Sequence, residues 1–246
     1  MRPFLATSQS RVVVLLLGII STYATGYVSL RHGLGLLGHD LMVAFGIFTG
    51  GILLLTYLSV NKWLVWATVT PKTLPEPQYT QAKALLSELG DRVGFHIDLR
   101  VVAAKRTFIY SAGINQKLLV ISDTALQSLS PAATRGVFAH EIAHMVMNHS
   151  RKNAAVFSSF FGLRMALAFP SYVNIYVALL LFMYLRHNEY EADKLACILV
   201  GQEAVRCALN EVQALTKMRE FGRTIEFFIS THPSYERRRQ AIAAYE

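Results

Sequence analysis

His140-Glu141-Ile142-Ala143-His144 lies inside a run, Ala132 to Asn148, whose pattern predicts a helix. Residues four apart on a helix share a face, one turn apart. The spacing therefore aims the imidazoles of His140 and His144 at one point, with Glu141 beside them. Two histidines that bind one ion and a carboxylate that holds a water on it form the arrangement of zinc peptidases. Ser130-Pro131 predict the start of this helix, with Ser at the N-cap and Pro in the first turn. A five-residue pattern alone is weak, so the rest of the chain decides the reading.

Upstream, Pro71, Pro75 and Pro77 mark Thr70 to Tyr79 as a linker. Ala82, Leu85, Leu86 and Leu89 recur at helical spacing, which predicts a helix over Gln78 to Gly90 with its stop at Gly90. Phe95 to Ala103 alternates and predicts a strand. Thr107 to Ser111 predicts a second, Gly113 to Lys117 a turn, and Leu118 to Ser122 a third. A short helix, Asp123 to Leu129, follows. A helix, a small sheet and then the metal helix give a mainly α protein with a small β-sheet, α+β in class. An exposed edge strand can add an extended substrate by backbone pairing. Leu118 to Ser122 is the candidate edge, and an ordinary core strand is its other reading.

Of the 246 residues, 53% are hydrophobic and 16% charged. A soluble domain carries about 25% charged residues, so the deficit points to membrane segments. Val12 to Leu30 and Leu41 to Val60 are uncharged runs of 19 and 20 residues. About 20 apolar residues span a bilayer as a helix. A polar, glycine-bearing turn at Arg31 to Gly35 separates the two runs, and Lys62, Trp63 and Trp66 follow as an interfacial anchor. These features predict a transmembrane hairpin over residues 1–69. The alternative for the first run is a cleaved signal peptide behind Arg2 and Arg11, but no small-residue cleavage site closes it. A third apolar region, Ala154 to Leu185, is divided by Pro170 and interrupted by Arg164 and Asn174. It reads as two short spans, as a hairpin dipping into the bilayer, or as a buried pair in a soluble core. The expected organisation is thus a metallopeptidase domain over 70–246, interrupted by the apolar hairpin 154–185.

The net charge is +8. The basic residues flank apolar stretches rather than forming one face, which fits membrane orientation and disfavours nucleic-acid binding. Cys197 and Cys207 fall ten residues apart in one helical region, too far to bridge, so no disulfide is expected and a reducing, cytosol-facing location fits.

Arg186-His187-Asn188-Glu189-Tyr190-Glu191-Ala192-Asp193 follows the third apolar region. Glu189 and Asp193 share a helix face. A catalytic zinc takes three protein ligands and keeps one position open. Glu189 can complete a set with His140 and His144, and Asp193 can orient a ligand histidine from behind. The other reading of the acidic pair is a solvated helix face. If Glu189 shares an ion with His144, the region between them crosses a membrane an even number of times.

H-E-I-A-H at 140–144, E-Y-E-A-D at 189–193 and T-H-P-S-Y-E-R-R at 231–238 occur in that order. In this the chain resembles the HtpX-type membrane zinc metallopeptidases, relatives of the CAAX prenyl endopeptidases. The resemblance extends over nearly the whole chain. It implies His140, His144 and Glu189 as ligands of one Zn2+ and Glu141 as the catalytic base. It also implies an integral protein of a bacterial inner membrane, with its catalytic domain facing the cytosol and acting on unfolded or membrane proteins. Within the matched T-H-P motif, His232 can donate to the oxyanion, approach the metal, or serve only the following helix. Arg238 can hold Glu189 or Asp193, or face water. The chain departs from the family at Tyr110-Ser111-Ala112-Gly113, where an Asn-Ala pair is usual, and at Arg239, where an aliphatic residue is usual.

His149 follows His144 by five, where the metzincin ligand needs six, and reads as a polar residue at the helix end. His32, His39, His96 and His187 lack ligand spacing and read as structural. The expected partners are a protein or peptide substrate and the lipid bilayer. Three rival classes predict otherwise. A membrane adaptor with a closed structural zinc site needs no Glu141. An intramembrane protease would not place Asn148, His149, Arg151 and Lys152 just past its motif. A nucleic-acid binder would cluster its basic residues.

Overall fold

The computed structural model describes residues 76–104, 107–112, 117–153, 155–156, 171–216 and 232–245. The two N-terminal apolar runs, His32, His39, Thr231 and the greater part of Ala154 to Pro170 lie outside the described residues. The chain divides into two compact units, and the helices and sheet around the H-E-x-x-H motif belong to the one formed by Pro71–Arg151 and Tyr172–Glu246.

α1 spans Glu76–Val93. It buries Ala82, Leu86 and Leu89, one stripe of an amphipathic helix. The helix runs past Gly90, the expected stop, and breaks at Gly94, whose φ of 77° is left-handed backbone that glycine adopts without strain. Three strands follow: β1 Asp98–Val102, β2 Ile109–Ala112 and β3 Leu118–Ser122. They form a mixed sheet in the order β1-β3-β2. β1 runs parallel to β3, with Asp98 opposite Leu118, and β2 runs antiparallel to it, with Ser111 opposite Leu119.

This order corrects one expectation. Leu118–Ser122 is the central strand and not an edge: all five of its residues are buried. Its unbroken apolar run suits a strand covered on both faces, and its central place comes from β1 and β2 pairing on either side of it. Among the described residues the edges are β1 and β2.

α2, Asp123–Ser128, is capped by Ser122 Oγ, which accepts from Ala125 N. α3, Pro131–Val146, starts as the sequence predicts: Ser130 is the N-cap and its hydroxyl accepts from Ala133 N. Glu211 fixes this cap by accepting from both Ser130 N (2.8 Å) and Ser130 Oγ (2.6 Å). α3 is buried around most of its girth, through Ala133, Gly136, Val137, Phe138, Ala139, Ile142 and Met145. It is the central helix of this unit, with α5, Gln202–Thr216, packed along it. Gly136 sets their closeness, since a Cβ there would lie 2.1 Å from the Ala204 carbonyl oxygen.

α4 is one helix from Ser171 to Val200. Its 30 residues extend about 45 Å at 1.5 Å each. The segment after Pro170 therefore continues without a break into the acidic motif. Leu180 and Met183 are more than 60% exposed. No helix among the described residues is long and apolar enough to cross a membrane. α6, Tyr235–Ala243, is capped by Ser234 and packs on α5. Arg239, a departure from the family pattern, ties these two helices through Asn210 Oδ1 (3.1 Å) and Gln213 Oε1 (2.7 Å). The whole is mainly helical with a small mixed sheet, an α+β architecture.

Candidate metal centre

The apolar faces of α3 are spent on the core, which leaves one strip for His140, Glu141 and His144. α4 lays Glu189 and Asp193 across that strip. His140 Nε2 and His144 Nε2 lie 3.1 Å apart. Glu189 Oε2 is 3.5 Å from the first and Glu189 Oε1 3.4 Å from the second. Two imidazole nitrogens that approach this closely and also face a carboxylate are arranged around a shared point. Metal–ligand bonds of 2.0–2.1 Å in a tetrahedron put neighbouring ligand atoms about 3.3 Å apart. The spacings fit a zinc-sized ion. Glu189 is 6% exposed, and its Oε2 accepts no hydrogen bond of good geometry, although His232 Nδ1 lies 3.1 Å away. A buried carboxylate oxygen in that condition is costly without a cation.

Behind the cluster stands a second tier. Asp193, fully buried, lies with Oδ1 2.9 Å from His140 Nδ1. Arg238 donates to both its oxygens, from Nε at 2.7 Å and Nη2 at 2.6 Å, and its Nη1 lies 3.5 Å from Glu189 Oε2. Such a fork fixes a carboxylate in one orientation. Burial pushes the Asp193 carboxyl up, but Arg238 and His140 hold it below the usual range. Burial likewise raises Glu189, and His140, His144 and His232 outweigh it and keep it well below the carboxylate range. Burial and the Arg238 charge lower His140, whereas Asp193 and Glu189 carry it to about 9. The pocket is thus electrostatically suited to a cation, whether protons or a metal.

Glu141 turns toward the sheet and accepts from Ser111 N at 2.6 Å. β2 therefore passes beside the cluster with that N–H pointing away from β3. His232 is 65% exposed at the mouth. Sequence reasoning missed His149. It is 1% exposed, with Nδ1 2.8 Å from His144 Nδ1 and Nε2 3.3 Å from Glu191 Oε2. The signal for it was Asn148, one of the few residue types that tolerate left-handed backbone, at φ 55°. His96 and His187 lie outside the cluster, each exposed beside a carboxylate, Asp98 and Glu191.

The chain resembles "Protease HtpX" of Acinetobacter baylyi at 24% identity, over 97% of this chain and 96% of the other. It resembles "Protease HtpX homolog" of Bacillus velezensis, also at 24%, over 99% of each. Among solved structures, the crystal structure of S. mikatae Ste24p superposes with a TM-score of 0.68 at 18% identity, over 94% of this chain. The chain spans 64% of the length of that Ste24p, so the likeness speaks for the fold. Residues 78–246 match Peptidase family M48, and the chain belongs to that family as an HtpX-like metallopeptidase.

Proposed function

We propose that the chain is a membrane-bound zinc endopeptidase whose ligands are His140, His144 and Glu189 and whose general base is Glu141. The observation that carries this is the convergence of His140 Nε2, His144 Nε2 and the Glu189 carboxylate at 3.1–3.5 Å, one residue from Glu141. Bound there, zinc supplies Lewis acidity for the scissile carbonyl and for water. Glu141 holds the attacking water at its carboxylate, takes its proton and passes it to the leaving amine. His232, exposed beside Glu189, donates to the carbonyl oxygen as negative charge develops. Asp193 and Arg238 keep the His140 ring turned, so that its Nε2 faces the site.

The substrate is an extended stretch of an unfolded or membrane protein. It pairs with the outer edge of β2, one of the two edges of the described sheet. Residues 1–69 form the membrane hairpin and 70–246 the peptidase domain, interrupted at 154–185, with the active site in the cytosol. Glu141 beside the cluster weighs against a purely structural zinc, which has no use for a base.

The test is metal analysis and casein digestion on detergent-purified protein. Wild type should hold about one zinc per chain. Glu141→Gln should hold the same zinc yet lose proteolysis by several orders of magnitude. Casein cleavage by that variant near the wild-type rate would end the catalytic reading.

A further inference from the structure

The two α3 histidines are held from behind in different ways. His140 meets a carboxylate directly, at Asp193. His144 meets another imidazole. Its Nδ1 lies 2.8 Å from His149 Nδ1, with the two rings edge-on at 69° and 4.9 Å between centroids. We propose that His149, set in turn by Glu191, is the positioning residue for His144 and holds it in the tautomer whose Nε2 lone pair can bind a metal. The proposal rests on the ligand reading above.

The proton inventory forces the direction. A neutral imidazole has one N–H and one lone pair. His144 can offer a lone pair at Nε2, the atom facing His140 and Glu189, only if its proton sits on Nδ1. His144 Nδ1 then donates, and His149 Nδ1 has to accept. The His149 proton is thereby placed on Nε2, the atom 3.3 Å from Glu191 Oε2. A carboxylate accepts there and cannot donate. Glu191 thus selects the tautomer of His149, and His149 selects that of His144, with the free lone pair ending at the metal position. With both rings neutral, reversing either link leaves two N–H groups or two lone pairs face to face inside the protein, where His149 is 1% exposed.

The backbone is built to deliver this contact. On an unbroken helix a residue five positions on lies about 140° round from the first, so His149 would point away from His144. α3 instead ends at Val146, and Asn148 takes φ 55°. The turn at Asn148 brings the next residue back over the helix end, onto the ring one turn below.

The experiment measures zinc affinity by chelator competition and the visible spectrum of the cobalt-loaded protein, on the full chain in detergent. The metal-free protein's melting temperature serves as the folding control. His149→Phe fills the space without an acceptor and should weaken zinc about 10–100-fold, the range for loss of a ligand's supporting partner, while shifting the cobalt bands. His149→Asn places its Oδ1 near the old Nδ1 and should restore most of the affinity. Glu191→Ala, at a side chain 39% exposed and therefore gentle on folding, should weaken zinc in the wild-type background and change nothing in His149→Phe. Wild-type affinity and an unshifted cobalt spectrum in His149→Phe would overturn the proposal. So would failure of His149→Asn to recover, or full additivity of the Glu191 and His149 changes. A His144→Ala control separates the two levels: zinc retained there sinks the ligand reading itself, whereas zinc lost there and unaffected in His149→Phe sinks only this inference.

Discussion

Glu189 and Arg238 test the site at the scale of single residues. Glu189→Gln keeps an oxygen of the same size but removes the charge that faces two histidines, and zinc should be mostly lost by metal analysis. Retention of a full equivalent would move the third ligand elsewhere. Asp193 could not readily replace it, because Arg238 and His140 already occupy its oxygens. His232 would be the substitute, 3.1 Å from Glu189 Oε2. Arg238→Ala leaves a fully buried Asp193 without its guanidinium and should cost about 3–5 kcal/mol, read as a lower thermal midpoint in detergent. An unchanged midpoint would show that the Asp193 charge is relieved some other way. His140, Glu141 and His144 were legible because a helix converts a spacing of four into a shared face. Glu189 and Asp193 were legible as a pair, but taken alone they read more readily as a wet surface; the charge of buried Asp193 is met by Arg238, 45 residues on. His149 was not legible as a site residue, because helical periodicity carries it the wrong way and only a local backbone reversal restores it.

At the scale of elements, the position of α3 depends on its contact with α5. Gly136 precedes His140 by one turn, and a Cβ there would meet backbone, the Ala204 carbonyl at 2.1 Å and Ala208 Cβ at 2.8 Å. A backbone obstacle cannot rotate aside, so the helices have to separate. Gly136→Ala should destabilise the protein by about 1–3 kcal/mol, the usual range for overpacking, and loosen zinc as well, because α3 carries both histidines. A wild-type midpoint and wild-type zinc affinity together would show that the helices can part without moving the site. The elements themselves were largely legible: α1, the three strands, α2 and the start of α3 fall within a few residues of expectation. Strand order was not. An apolar run such as Leu118–Ser122 says that a strand is covered, whereas the edge is decided by which strands return beside it. That depends on the chain between β1 and β3, where β2 doubles back to the far side.

At the scale of the molecule, the pairing of His144 with Glu189 constrains topology. Their ligand atoms lie 3.4 Å apart, yet Ala154 to Leu185 separates them in sequence. Whatever path that region takes, it returns to its starting side, so any crossings of a bilayer are even in number. The N-terminal pair of apolar runs does the same if both span. Arg2 and Arg11 precede the first run, and Lys62, Lys72 and Lys83 follow the second, while the connection Arg31 to Asp40 carries Arg31 against Asp40. Basic flanks favour the cytosol, which predicts the N-terminus and the peptidase domain inside and the connection outside. Cysteine labelling checks this in intact cells. Cys197 and Cys207 are removed first, although burial pushes the Cys197 thiol up to about 11 and makes it slow to react. Ser87→Cys, on the exposed side of α1, should resist an impermeant reagent, as should Ser8→Cys and Ser230→Cys, while Gly35→Cys should react. Labelling of Ser87→Cys or Ser230→Cys from outside would reverse the orientation. The zinc chemistry would stand, because it depends only on α3 and α4 meeting, but the substrates would then have to come from the opposite compartment.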